Sequence, residues 1–112
     1  MSALPDIDPT TFRELQETAG AEFVAELVAT FIEEAPLMLD ELRSAQAAGS
    51  ADRFRRAAHS LKSNSQTFGA TALAAQARAL ELGGLVTDSA PIDALAATYA
   101  RAAAALQELA RG

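Results

Sequence analysis

The sequence predicts an all-α fold, an antiparallel up-down four-helix bundle with a short additional N-terminal helix capping one end, on three observations. Alanine supplies 28 of the 112 residues, and alanine is the strongest helix former. The β-branched and aromatic residues are too scattered to give the alternation that marks strands. Apolar residues instead recur at steps of three and four in successive stretches broken by Gly, Pro, Ser or Asp, and four amphipathic helices joined by short turns bury such stripes against one another.

Asp8 followed by Pro9 is a helix start, a capping carboxylate and then a residue whose missing N–H is an orphan anyway. This short first helix runs to about Ala19-Gly20, with Phe12 and Leu15 as its anchors. From Ala21, the residues Phe23, Leu27, Phe31, Ala35, Met38, Leu42 and Ala45 describe a long amphipathic helix ending near Gly49. Pro36 falls inside it and predicts a bend or a brief break, because the stripe resumes in register beyond it. Ser50 caps a third helix, with Asp52 in its positively polarised first turn. Gly69 interrupts the pattern, and Ala70, Leu73, Ala77 and Leu80 mark a fourth helix stopping at Gly83-Gly84. After a loop containing Thr87, Asp88, Ser89 and Pro91, the last helix carries Ile92, Leu95, Tyr99, Ala102, Leu106 and Leu109.

The size suits one domain spanning residues 1–112. No cysteine is present, so disulfides and thiolate metal sites are excluded. The opening Met1-Ser2-Ala3-Leu4-Pro5-Asp6 lacks a basic segment followed by an apolar run, and no stretch reaches the length of a membrane span. The expectation is a cytoplasmic protein that does not engage membranes. A start at Met1 and an end at Ala110-Arg111-Gly112 suit an independent protein, and the stripes account for one bundle, so a monomer is expected. A net charge of −6 argues against nucleic acid, since one basic cluster on a negative molecule fits a single phosphate better than a phosphate backbone.

The single histidine, His59, and the single lysine, Lys62, lie three residues apart and so share a helical face. From Arg53 to Leu80 the chain carries Arg53, Arg55, Arg56, Lys62 and Arg78 and no acid, which predicts a local positive field around one titratable nucleophile. At about 100° per residue, Phe54, Ala57, Leu61 and Phe68 point together toward the core and His59 points away from it into solvent. Arg55, Arg56, Lys62, Ser63 and Gln66 fall on the His59 side, whereas Asn64 and Ser65 turn toward the core. Glu33-Glu34 and Asp40-Glu41 read as wet outer faces. One histidine without cysteine or suitably spaced carboxylates falls short of a metal site.

The segment Ala57 to Ala70, read as Ala-Ala-His-Ser-Leu-Lys-Ser-Asn-Ser-Gln-Thr-Phe-Gly-Ala, resembles the signature of the histidine-containing phosphotransfer (HPt) domains of multistep two-component phosphorelays. Phe31 to Leu42 resembles the helix before that motif and Leu73 to Glu81 the helix after it. Two positions depart: Ser63 stands where glycine is usual, and Gln66 where a smaller residue is common. The resemblance implies reversible phosphoryl transfer between His59 and an aspartate on a response-regulator receiver domain, with a hybrid histidine kinase upstream and Nε2 as the phosphorylated atom.

The residue types suit that chemistry. A solvent-facing imidazole, with a reference pKa of about 6.5, is substantially neutral and nucleophilic near pH 7. Lys62 is placed to offset charge on the transferred group, Arg55 and Arg56 are weaker candidates for that role, and Gln66 could donate to imidazole or phosphate. Arg55, Arg56, Ser63 and Phe12 are expected to form the docking surface. No Gly-x-x-x-x-Gly-Lys loop occurs, so no ATP use or autokinase activity is expected. No resident cofactor is expected either, and the Mg²⁺ that assists such transfers would come from the receiver. The competing reading is a helical docking module that binds a receiver or kinase without accepting phosphate. Retention of both His59 and Lys62 favours the carrier.

Overall fold

In the computed structural model, residues 6–111 are described, and they form five helices and no strand. The segment Met1 to Pro5, read above for the lack of an export signal, and Gly112 lie outside the described residues. The helices are α1 (Pro9–Ala19), α2 (Ala21–Ala48), α3 (Ala51–Thr67), α4 (Thr71–Gly83) and α5 (Ala90–Arg111). Each of α2 to α5 packs on its neighbour in sequence, and α2 also packs on α5, which closes the four-helix ring. None of the described helices is long and apolar enough to cross a membrane.

The caps follow the sequence closely. Asp8 accepts from the Thr10 N–H at 3.0 Å with Pro9 at the first helical position, and Ser50 accepts from the Arg53 N–H at 3.4 Å. Ile7 and Phe12, the positions before the cap and four into α1, are both buried, as in a hydrophobic staple. α1 is anchored on the α3–α4 turn, where the Asp8 N–H donates to the Gly69 carbonyl at 2.7 Å. Gly69 has φ +75°, and a Cβ there would lie 2.8 Å from the Thr11 Cβ. Glycine is therefore required for both the turn and the close approach of α1.

The core is formed by Phe12, Val24, Phe31, Leu42, Phe54, Leu61, Leu73, Ile92, Leu95 and Leu106 with small alanines between them. Burying one such leucine or phenylalanine contributes about 1.5–3 kcal/mol. Phe31 is its aromatic centre, 5.3 Å from Phe68 and 5.9 Å from Tyr99 between ring centroids.

One expectation is corrected in α2, and a second is narrowed. The first half of its stripe is rotated by one residue: Val24 and Val28 are buried, Phe23 is exposed, and Leu27 lies at the edge. Both the 23/27 and 24/28 pairs are apolar at a spacing of four, so periodicity could not choose between them. Pro36 does not break the helix, which is continuous from Ala21 to Ala48. Proline removes the N–H that would pair with the Ile32 carbonyl, and the Tyr99 hydroxyl on α5 donates to that carbonyl at 3.1 Å instead. A cross-bundle hydrogen bond thus replaces the missing rung. Burial raises the Tyr99 pKa above its ordinary 10.0, so the phenol stays a donor.

Candidate functional site

α3 and α4 are antiparallel and turn at Gly69-Ala70, which sets His59 level with Glu81 and Lys62 level with Arg78, both pairs on facing helices. His59 is 55% exposed at its side chain, as the helical-face arithmetic requires. Its Nδ1 lies 2.7 Å from Glu81 Oε2, and Lys62 Nζ lies 2.8 Å from Glu81 Oε1. One carboxylate therefore bridges the imidazole and the ammonium.

Glu81 is held below the usual carboxylate range, first by its hydrogen bond with Lys62 and then by that with His59, against opposing desolvation. An ionised carboxylate only accepts, so Nδ1 must carry the hydrogen of this bond. The lone pair of the neutral ring is then on Nε2, which no hydrogen bond engages among the described residues. The geometry thus leaves Nε2 as the ring nitrogen with the free lone pair, a choice between the two nitrogens that the residue pattern alone left open. Such a pairing also offsets the positive charge that the ring gains when Nε2 is substituted.

The structure revises the picture of Lys62. Its side chain is only 18% exposed and is paired with Glu81, whereas the helical face predicted a solvated cation. The positive field is reduced elsewhere too. Arg55 and Arg56 both reach Asp52, at 2.7 and 3.1 Å, on the exposed face of α3. Arg53 grips Glu41 through two hydrogen bonds of 2.9 and 2.8 Å and touches Ser44. That contact lowers the Glu41 pKa and raises that of Arg53, and it makes Glu41 a partner of α3 rather than a free solvated residue. Exposed pairs of this kind contribute little to stability and mainly fix local charge.

Ser63 and Gln66 share the exposed side with His59. Gln66 makes no hydrogen bond to His59 and lines a cleft of about 280 Å³ between α3 and α4, together with Thr11, Thr71 and Arg78. Ser65 is fully buried, its hydroxyl donating to the Leu61 carbonyl at 2.6 Å. Phe12 is 2% exposed and belongs to the core, so it cannot form part of a docking surface. The staple beneath α1 explains its placement. The exposed apolar residues near His59 are instead Leu37 on α2 and Leu82, adjacent to Glu81 on α4. Leu37 and Met38 line a second cleft of about 560 Å³ with Arg56 and Ser60 of α3, on the other side of the His59 ridge. Among the described residues, no group of three or more His, Cys, Asp or Glu side chains is arranged to hold a metal.

Glu81 was missed from sequence because it lies 22 residues beyond His59. The signal that could have found it is the turn at Gly69, since folding an antiparallel helix pair about that point brings position 81 opposite position 59.

Comparisons with known proteins bear on the family and the fold. Residues 26–110 match the family model described as the Hpt domain. Curated protein sequences give no match. The fold is similar to the crystal structure of histidine-containing phosphotransfer protein B (HptB) from Pseudomonas aeruginosa PAO1. That match has a TM-score of 0.75 and 29% identity, and covers 97% of this chain and 94% of that one. An exposed imidazole on the third helix of an all-helical bundle, and a family match over most of the chain, make this protein a member of the Hpt domain family, the histidine phosphotransfer proteins of phosphorelays.

Proposed function

We propose that His59 is the phosphoacceptor and that Nε2 carries the phosphoryl group between a hybrid histidine kinase and the aspartates of receiver domains, in the cytoplasm. The observation that carries this reading is the bond of 2.7 Å from Nδ1 to Glu81, which turns Nε2 outward on an exposed ring as a free nucleophile. Attack forms an N–P bond at Nε2 as the P–O bond to the receiver's aspartate breaks and the carboxylate leaves with the electron pair. No proton has to move, because the ring hydrogen already sits on Nδ1. Glu81 then faces a ring that has become cationic, and Lys62 holds Glu81 in place and ionised. Mg²⁺ belongs to the receiver's acidic pocket in this reading, and the carrier acts as a monomer. Arg55, Arg56 and Ser63, with Leu37 and Leu82, supply the polar and apolar parts of the docking face around His59.

The test is phosphoryl transfer from a phosphorylated receiver domain to the full chain, followed by the stability of the label in acid and alkali. An acid-labile, alkali-stable label that disappears in His59→Gln is expected. A label that persists in His59→Gln, or binding of receivers with no transfer from any of them, would replace the carrier with a docking module.

A further inference from the structure

The cations around His59 are nearly all committed. Lys62 is paired with Glu81, Arg55 and Arg56 with Asp52, and Arg53 with Glu41. Arg78 is the exception among the described residues of α3 and α4, with no carboxylate within ion-pair distance. It is exposed on α4, three residues before Glu81, and therefore on the side of that helix that faces α3. Its level along the hairpin is that of Lys62, three residues or about 4.5 Å of helix rise from the level of His59. The cleft that Arg78 lines stops short of His59, so the side chain would have to extend along the hairpin to bring its guanidinium to the imidazole. Gln66, one turn beyond Lys62, lines the same cleft of about 280 Å³ and has no side-chain hydrogen bond among the described residues.

We propose that Arg78, assisted by the Gln66 amide, is the group that binds the transferred phosphoryl oxygens at His59, while Lys62 remains clamped to Glu81 as a positioning residue. The proposal rests on the carrier reading. The chemistry favours it for two reasons. A planar guanidinium presents a fork of N–H donors that matches two phosphoryl oxygens, which an ammonium does not. Recruiting Lys62 would strip Glu81 of its first partner at the moment when Glu81 must face a cationic ring. An uncommitted arginine supplies charge without breaking an existing pair.

The experiment separates phosphoryl binding from docking by using a donor with no protein surface. Phosphoramidate transfers its phosphoryl group to imidazole as the P–N bond breaks and ammonia leaves, protonated by solvent. Rates of His59 phosphorylation are measured with phosphoramidate and with a phosphorylated receiver, for the wild-type full chain, Arg78→Ala, Arg78→Lys and Gln66→Ala. His59→Gln is the control for the carrier reading. Arg78→Ala is expected to slow both reactions by about tenfold or more, with part of the rate regained in Arg78→Lys and a smaller loss in Gln66→Ala. Its circular dichroism should be unchanged, since Arg78 is exposed and unpaired. A rate with phosphoramidate within twofold of wild type overturns the proposal while leaving the carrier intact, and a loss confined to the receiver reaction does the same by reducing Arg78 to a docking residue. A label retained by His59→Gln overturns both.

Discussion

Tyr99→Phe tests whether one hydroxyl substitutes for the hydrogen bond that Pro36 removes from α2. The Tyr99 hydroxyl donates to the Ile32 carbonyl at 3.1 Å, and no backbone N–H at position 36 can take its place. Deleting the hydroxyl leaves a partly covered carbonyl without a partner, a loss of about 1.5 kcal/mol. An unfolding entropy of about 2.1 cal/mol/K per residue gives about 0.24 kcal/mol/K for 112 residues, so Tm should fall by about 6 °C. Calorimetry on a double-mutant cycle isolates the mechanism. In a Pro36→Ala background the restored N–H reaches the Ile32 carbonyl within the helix, and Tyr99→Phe should then cost about half as much or less. The effect of proline on the unfolded chain cancels in the cycle. An equal drop in Tm in both backgrounds would refute the substitution argument and leave Tyr99 as a packing residue against Phe31. The pH dependence has a definite sign. Because the folded Tyr99 pKa is raised above 10.0, the hydroxyl's contribution is fully present below pH 10.0 and is lost as pH rises through the folded value. The gap between wild type and Tyr99→Phe should therefore close in strong alkali.

Gly69→Ala is expected to destabilise by about 2–4 kcal/mol, combining a left-handed alanine at φ +75° with a Cβ 2.8 Å from Thr11 and 3.1 Å from the Asp8 carbonyl. Urea unfolding measures this, and an unchanged midpoint would mean that α1 does not seat tightly on the α3–α4 turn. Glu81→Gln keeps an oxygen to accept from Nδ1 but removes the anion paired with Lys62, so transfer through His59 should slow, and Glu81→Ala should slow it further by losing the ring orientation as well. Wild-type rates in both variants would remove Glu81 from the mechanism. The folded Glu81 pKa is depressed below its ordinary 4.5, so the stability it contributes is present above pH 4.5 and is lost as pH falls through the folded value. The Tm difference between wild type and Glu81→Gln should shrink in that acid range.

Elements with local causes were legible in the sequence. The α1 start came from Asp8-Pro9, the α3 start from Ser50 and the chain turn from Gly69, each a short-range constraint on backbone geometry. The outward direction of His59 followed from its phase against Phe54, Ala57 and Leu61, all of which are buried. What failed depended on contacts between elements. Phe12 read as a candidate surface residue because nothing within α1 shows which of its residues are covered when the helix packs on α2 and its start seats on the turn at Gly69. Phe23 and Val24 offered two equally apolar phases, and packing chose the valine. Lys62 read as solvated because its partner is on the next helix.

The charge window shows how such an error propagates into chemistry. Between Arg53 and Leu80 the sequence holds five cations and no acid, yet Glu41, Asp52 and Glu81, all outside that window, pair with four of them, three carboxylates against four cations. The His59 surface is consequently far less positive than a linear count implies. A weaker field suits a carrier. Phosphohistidine must lie near its donor and acceptor in free energy if the group is to pass in both directions, and interactions that bind the phosphorylated state more tightly than the transition state would trap it. A carboxylate fixed at Nδ1 helps the transition state, where the ring begins to gain charge, without adding a deep well for the phosphate itself. A single uncommitted arginine at the rim then supplies phosphoryl contacts that can be exchanged for those of the incoming receiver.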